Sequence, residues 1–109
     1  MDQLLQNEQL LLLLCNCSTK LKSAVIKHCE DSLILALTVA VIALLNRQIT
    51  VDAGEQSLFS YYSKELHQLA DVCESIEDKR KVLLKKRFLD VLSPLVRVVL
   101  RELDSGNLE

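Results

Sequence analysis

Apolar residues recur along most of the chain at three- and four-residue spacing, which predicts α-helices. One segment departs from this pattern, because Ser32 and Thr38 are the only polar residues between Ser32 and Leu45. A helix that is apolar on all sides must be surrounded by other parts of the protein. Its 14 residues would span about 21 Å, which is shorter than the roughly 30 Å hydrocarbon core of a bilayer. We therefore expect a buried central helix and no transmembrane span.

Residues typical of helix ends divide the rest of the chain. Ser18 is predicted to be the N-cap of the helix that leads into the apolar segment, and Asp52 followed by Glu55 has the pattern of a capping box. Ser93 and Pro94 predict either a kink or a new helix start. The predicted helices cover residues 2–14, 19–47, 53–73, 76–92 and 94–103.

The composition favours the same fold class. The 109 residues include 24 Leu but only two Gly and one Pro, and half of them are apolar. Leu is a good helix former, whereas Gly and Pro are typical of turns. We expect an all-α fold: a single domain over residues 1–109, built as a small bundle of four to five helices around the central one.

Cysteine and histidine are the candidates for metal or catalytic chemistry. Cys15, Cys17, His28 and Cys29 are close in sequence, but their spacing differs from the paired ligands of structural zinc sites. No glycine-rich phosphate loop or histidine signature is present either. We therefore predict no enzyme activity, no bound metal and no cofactor. The N-terminus lacks the positive segment of a secretory signal, so we expect reduced thiols and a cytoplasmic protein.

Charge is distributed unevenly along the chain. Residues 79–101 contain eight Lys or Arg against Asp90 alone, net +7, while the preceding 78 residues have net charge −6. Such a basic segment could be a solvated face, pair with the acidic remainder, or bind an acidic protein, nucleic acid or an anionic membrane. Six of its residues would fall within roughly 120° on a continuous helix: Lys79, Arg80, Lys86, Arg87, Arg97 and Arg101.

The leucine run near the N-terminus and the apolar residues near residue 100 exceed what short helices readily bury, so they predict an interface. The size and helical content resemble those of small bacterial secretion and flagellar chaperones, without a shared motif. We predict a cytosolic helical interaction protein, acting as an adaptor, chaperone or regulator, that binds a protein partner or forms a homodimer. The alternative is a nucleic-acid-binding regulator that uses the basic residues. The predicted apolar interface comprises Leu10, Leu11, Leu14, Val98 and Leu100.

Overall fold

Helices account for the regular structure of the computed structural model, which describes residues 6–71 and 73–104. Within those residues there are seven α-helices, more than the four to five predicted, and no strand, which confirms the all-α prediction. Residues 2–5 of the first predicted helix, and residue 72 of the third, lie outside the described part. The helices are α1 (Glu8–Asn16), α2 (Thr19–His28), α3 (Asp31–Leu45), α4 (Ala53–Tyr61), α5 (Ser63–Ala70), α6 (Ile76–Leu83) and α7 (Lys86–Asp104).

Two predicted helix starts are confirmed in detail. The Ser18 side chain accepts a hydrogen bond from the Leu21 amide at 3.3 Å, so it caps α2. Asp52 accepts from the Glu55 amide at 2.7 Å, and Glu55 accepts in return from the Asp52 amide at 3.0 Å. This reciprocal capping box begins α4.

The prediction of one helix over residues 19–47 is wrong. The chain breaks at Cys29 and Glu30, where both residues have extended backbone, and α2 and α3 meet at a 115° bend. Carbonyl groups at the end of α2 lose their helical partners there. The guanidinium group of Arg80 binds two of them, the carbonyls of Ile26 and Cys29, so a distant side chain stabilises the break.

Two further boundaries differ from the prediction. The chain turns at Tyr62, where the ring packs edge to face against Phe88, and this turn separates α4 from α5. Pro94 neither starts nor ends a helix, since it lies inside α7, and the last break falls instead at Leu84 and Lys85. Buried residues precede and follow Pro94 along α7, and their burial outweighs a proline cost of roughly 3 kcal/mol.

The core is shared between the apolar helix and the C-terminal one. α3 packs against α5 and α6, whereas α7 packs chiefly against α1 and also contacts α2, α4 and α6. Leu33, Ile34 and Leu37 of α3 are fully buried, but Leu35 is 39% exposed. The expectation that α3 is buried on every side is therefore corrected, because its neighbours leave the side that contains Leu35 partly open.

The length and apolar content of the described helices limit what each of them can span. None of them alone has both the length and the apolar composition needed to cross a membrane. α2 and α3 reach that length and composition only when they are taken together, across the 115° bend.

Candidate functional site

Most of the predicted apolar interface is inside the protein. Leu11, Leu14 and Val98 are fully buried and Leu100 nearly so, while Leu10 is 39% exposed. Leu11 and Leu14 are three residues apart, so they lie on one side of α1, the helix that packs chiefly against α7. The prediction that these residues form a free surface is therefore corrected for all but Leu10, because the chain buries the others within itself.

The side of α1 that faces away from the core contains other leucines. Leu12 and Leu13 are each 40% exposed, and Gln9 and Asn16 beside them are exposed as well. At about 100° per residue these four lie opposite the buried pair Leu11 and Leu14. We call Gln9, Leu12, Leu13 and Asn16 the outer α1 face.

None of the four residues of the outer α1 face is charged; Glu8, one turn before Leu12, lies at its edge. The Asn16 side-chain amide donates a hydrogen bond to the Leu12 carbonyl at 3.0 Å. The sequence contained the signal for this face: five consecutive leucines, Leu10–Leu14, cover the full circumference of a helix, so some of them had to remain outside a one-sided contact.

The six predicted basic residues do not form one free face. Lys79 is buried, and Arg80 lies against the end of α2. Arg80 Nη1 donates to the carbonyl oxygens of Ile26 at 2.6 Å and Cys29 at 3.1 Å, and its Nη2 lies 3.1 Å from Asp31 Oδ1. This part of the basic segment therefore has a structural role within the fold.

Arg87 lies beside two aromatic rings. Its guanidinium carbon is 5.3 Å from the ring centre of Tyr61 and 5.4 Å from that of Tyr62, within the range of cation–π contacts. Its Nε is 4.0 Å from a carboxylate oxygen of the buried Glu65. Nothing in the sequence pattern indicates that Arg87 meets these two rings, because Tyr61 and Tyr62 lie about 25 positions earlier in the chain.

Arg101 is also engaged within the chain. Its Nη2 donates to the Thr50 carbonyl at 2.7 Å and lies 3.2 Å from Glu55 Oε1. Of the six basic residues, Lys86 and Arg97 are exposed and form no ion pair with the described part of the chain. The break at Leu84 and Lys85 changes the direction of the chain between Arg80 and Lys86, so a single helical wheel does not apply.

The cysteines and histidines are dispersed. All four cysteines are free, and the Cys15 thiol approaches the Ser93 carbonyl at 3.8 Å. His28 is exposed, and Nδ1 of His67 is 2.8 Å from the Ser63 carbonyl. Over residues 6–71 and 73–104, no three His, Cys, Asp or Glu side chains are grouped so that they could hold a metal ion.

Comparison with protein-family models, with curated proteins and with solved structures finds no match to this chain.

Proposed function

We propose that the protein is a non-enzymatic helical interaction protein that associates with a second copy of itself through the outer α1 face. The supporting observation is that Leu12 and Leu13 are adjacent and each 40% exposed on a helix whose other side is fully buried. Completing the burial of these side chains would contribute about 1 kcal/mol for each leucine. Exposed apolar side chains that lie together are typical of interaction surfaces.

The absence of charge on this face favours a second copy as the partner. A two-fold dimer brings the same surface of both subunits together, so a charged face would repel itself. The outer α1 face contains only leucines and the amides of Gln9 and Asn16, and an amide can both donate and accept a hydrogen bond. Such a face is chemically complementary to its own copy.

The small size of the face predicts weak association. Its nine-residue helix is about 13 Å long, so the buried area falls at the low end of specific interfaces, below roughly 1,200 Å². The dimer should therefore form in a concentration-dependent manner. In this proposal the protein acts in the cytoplasm as an adaptor, chaperone or regulator, and its four free thiols are typical of proteins in reducing compartments.

Sedimentation equilibrium over a series of protein concentrations tests the proposal. We expect about half of the wild-type protein to be dimeric at a concentration of about 1 mM, the dissociation constant that corresponds to an association energy of about 4 kcal/mol. Leu12→Gln with Leu13→Gln should leave a folded monomer at every concentration, because both substitutions lie on the solvent side of α1.

The matched control is Leu21→Gln with Leu35→Gln. These leucines are 45% and 39% exposed but lie on α2 and α3, so this variant should dimerise like the wild type. A wild-type protein that stays monomeric at 1 mM would contradict the proposal. So would a Leu12→Gln, Leu13→Gln variant that still dimerises, or a control that loses the dimer to the same extent.

A further inference from the structure

A groove with an apolar floor lies at the C-terminal end of α3. It has a volume of about 400 Å³, within the range of small-molecule sites, and is bounded by the end of α3, the connecting loop, α4 and the start of α5. Polar rim residues include Ser60 and Ser63. The apolar residues that line it are Leu44, Leu45, Ile49, Val51, Phe59 and Leu66.

The loop that forms one side of the groove is held in place by α7. Thr50 accepts a hydrogen bond from Arg101 Nη2 at 2.7 Å through its carbonyl, and its amide donates to Glu102 Oε1 at 3.1 Å. Both backbone groups of Thr50 are therefore fixed by side chains about 50 positions away. A wall held in this way needs little rearrangement to bind a ligand.

Arg47 is the only charged residue among the described residues that line the groove. The neighbouring acidic residues are already engaged: Asp52 caps α4, and Glu55 binds both the Asp52 amide and Arg101. Arg47 itself has no side-chain hydrogen bond or ion pair within the described part of the chain. Its guanidinium group is thus free to bind an anion.

The backbone of Arg47 is a second, independent observation. Its φ is 59°, in the left-handed region, and no other non-glycine residue of the described chain has a positive φ. The amide of Arg47 donates to Leu44 and that of Gln48 to Ala43, which is the Schellman pattern of a helix end. Glycine usually occupies this position, so an arginine here is held in a strained conformation, of the kind that clusters at ligand sites.

We propose that this groove binds a small apolar molecule that carries one carboxylate, such as a medium-chain fatty acid. The apolar chain lies on the floor that includes Ile49, Phe59 and Leu66, and the carboxylate pairs with Arg47. The groove shares no residue with the outer α1 face, so ligand binding and self-association can be tested independently of each other.

Titration with decanoate, below the concentration at which it forms micelles, tests the proposal. We expect decanoate to shift the backbone amide NMR signals of Ile49 and Phe59. It should bind about fivefold more tightly than decanol, since a pair with the exposed Arg47 is worth up to about 1 kcal/mol. Acetate, which lacks the apolar chain, should cause no such shifts at the same concentration.

Two variants with matched controls locate the site. Arg47→Gln should weaken decanoate binding about fivefold and leave decanol unchanged, whereas Arg97→Gln, on the exposed side of α7, should affect neither. Ser60→Trp should block the groove, whereas Ser57→Trp should not, because the exposed Ser57 lies on the same helix outside the groove lining.

Several results would overturn the proposal. One is that decanoate shifts no groove signal, and another is that it binds no better than decanol. Equal weakening by Arg47→Gln and Arg97→Gln would show general attraction to positive charge rather than a site. Unchanged binding in Arg47→Gln or in Ser60→Trp would exclude the groove as the place where decanoate binds.

Discussion

Arg47 combines backbone strain with a free positive charge. A left-handed conformation costs a residue with a Cβ atom roughly 1 kcal/mol, and glycine avoids this penalty. Arg47→Gly should therefore raise the free energy of unfolding by about 0.5 to 1 kcal/mol, as measured by urea denaturation. Gln48→Gly, at the next position and without a positive φ, should lower it. Destabilisation by Arg47→Gly would show that the arginine side chain itself supports the fold.

Arg80 stabilises the fold through carbonyl groups more than through its ion pair. Its side chain is 18% exposed, whereas Asp31 is 69% exposed, and an ion pair to such an exposed carboxylate contributes little. Arg80→Gln should lower the free energy of unfolding by about 2 kcal/mol, because the carbonyls of Ile26 and Cys29 lose a charged donor. Asp31→Asn should change it by less than about 0.5 kcal/mol. Urea denaturation measures both variants. If they lost the same free energy of unfolding, the carbonyl contacts of Arg80 would not be its main contribution.

At the scale of the helix, α3 has a covered side and a partly open side. Ala40 is buried on the covered side, where an aspartate would place a charge among apolar residues without a partner. Ala40→Asp should unfold the protein, a loss of more than about 4 kcal/mol. Leu35→Asp, on the partly open side of the same helix, should cost about 2 kcal/mol and leave a cooperative thermal transition by circular dichroism. A soluble Ala40→Asp variant of near-native stability would show that α3 is not part of the essential core.

Helix starts were predictable from the sequence where a single residue determines them, as Ser18 and Asp52 do. Helix breaks were not, because no glycine or proline marks Cys29 or Tyr62. At the Cys29 break the carbonyl group is bound by Arg80, 51 positions away, and α7 continues through Pro94, whose neighbours in the helix are buried. Periodicity also could not show which of the leucines in Leu10–Leu14 the rest of the chain would cover. The helix breaks and the covered leucines depend on packing between distant parts of the chain, which a local sequence pattern does not show.

At the scale of the whole molecule, the acidic and basic parts of the sequence fold against each other. Each of the three ion pairs formed within residues 6–71 and 73–104 joins an arginine of residues 79–101 to a carboxylate before residue 79. Arg80 pairs with Asp31, Arg87 with Glu65, and Arg101 with Glu55. The charge pattern left several interpretations of the basic segment open. One of them, pairing with carboxylates of the same chain, applies to three of the six predicted basic residues. The basic segment also supports the groove, because Arg101 binds the carbonyl of Thr50 in the groove wall.

Arg101 fixes the loop at Thr50 to the C-terminal helix α7. Arg101→Gln should make the Thr50 amide exchange with deuterium about tenfold faster, because loss of the charged contact lowers the local opening energy by about 1.4 kcal/mol. The amide of Leu37, in the core of α3, should exchange at an unchanged rate. Arg97→Gln, one turn earlier on α7 and exposed, should leave both amides unaffected. If Thr50 exchange were the same in Arg101→Gln as in the wild type, the bond from its amide to Glu102 would be sufficient to hold the loop, and the groove wall would not depend on Arg101.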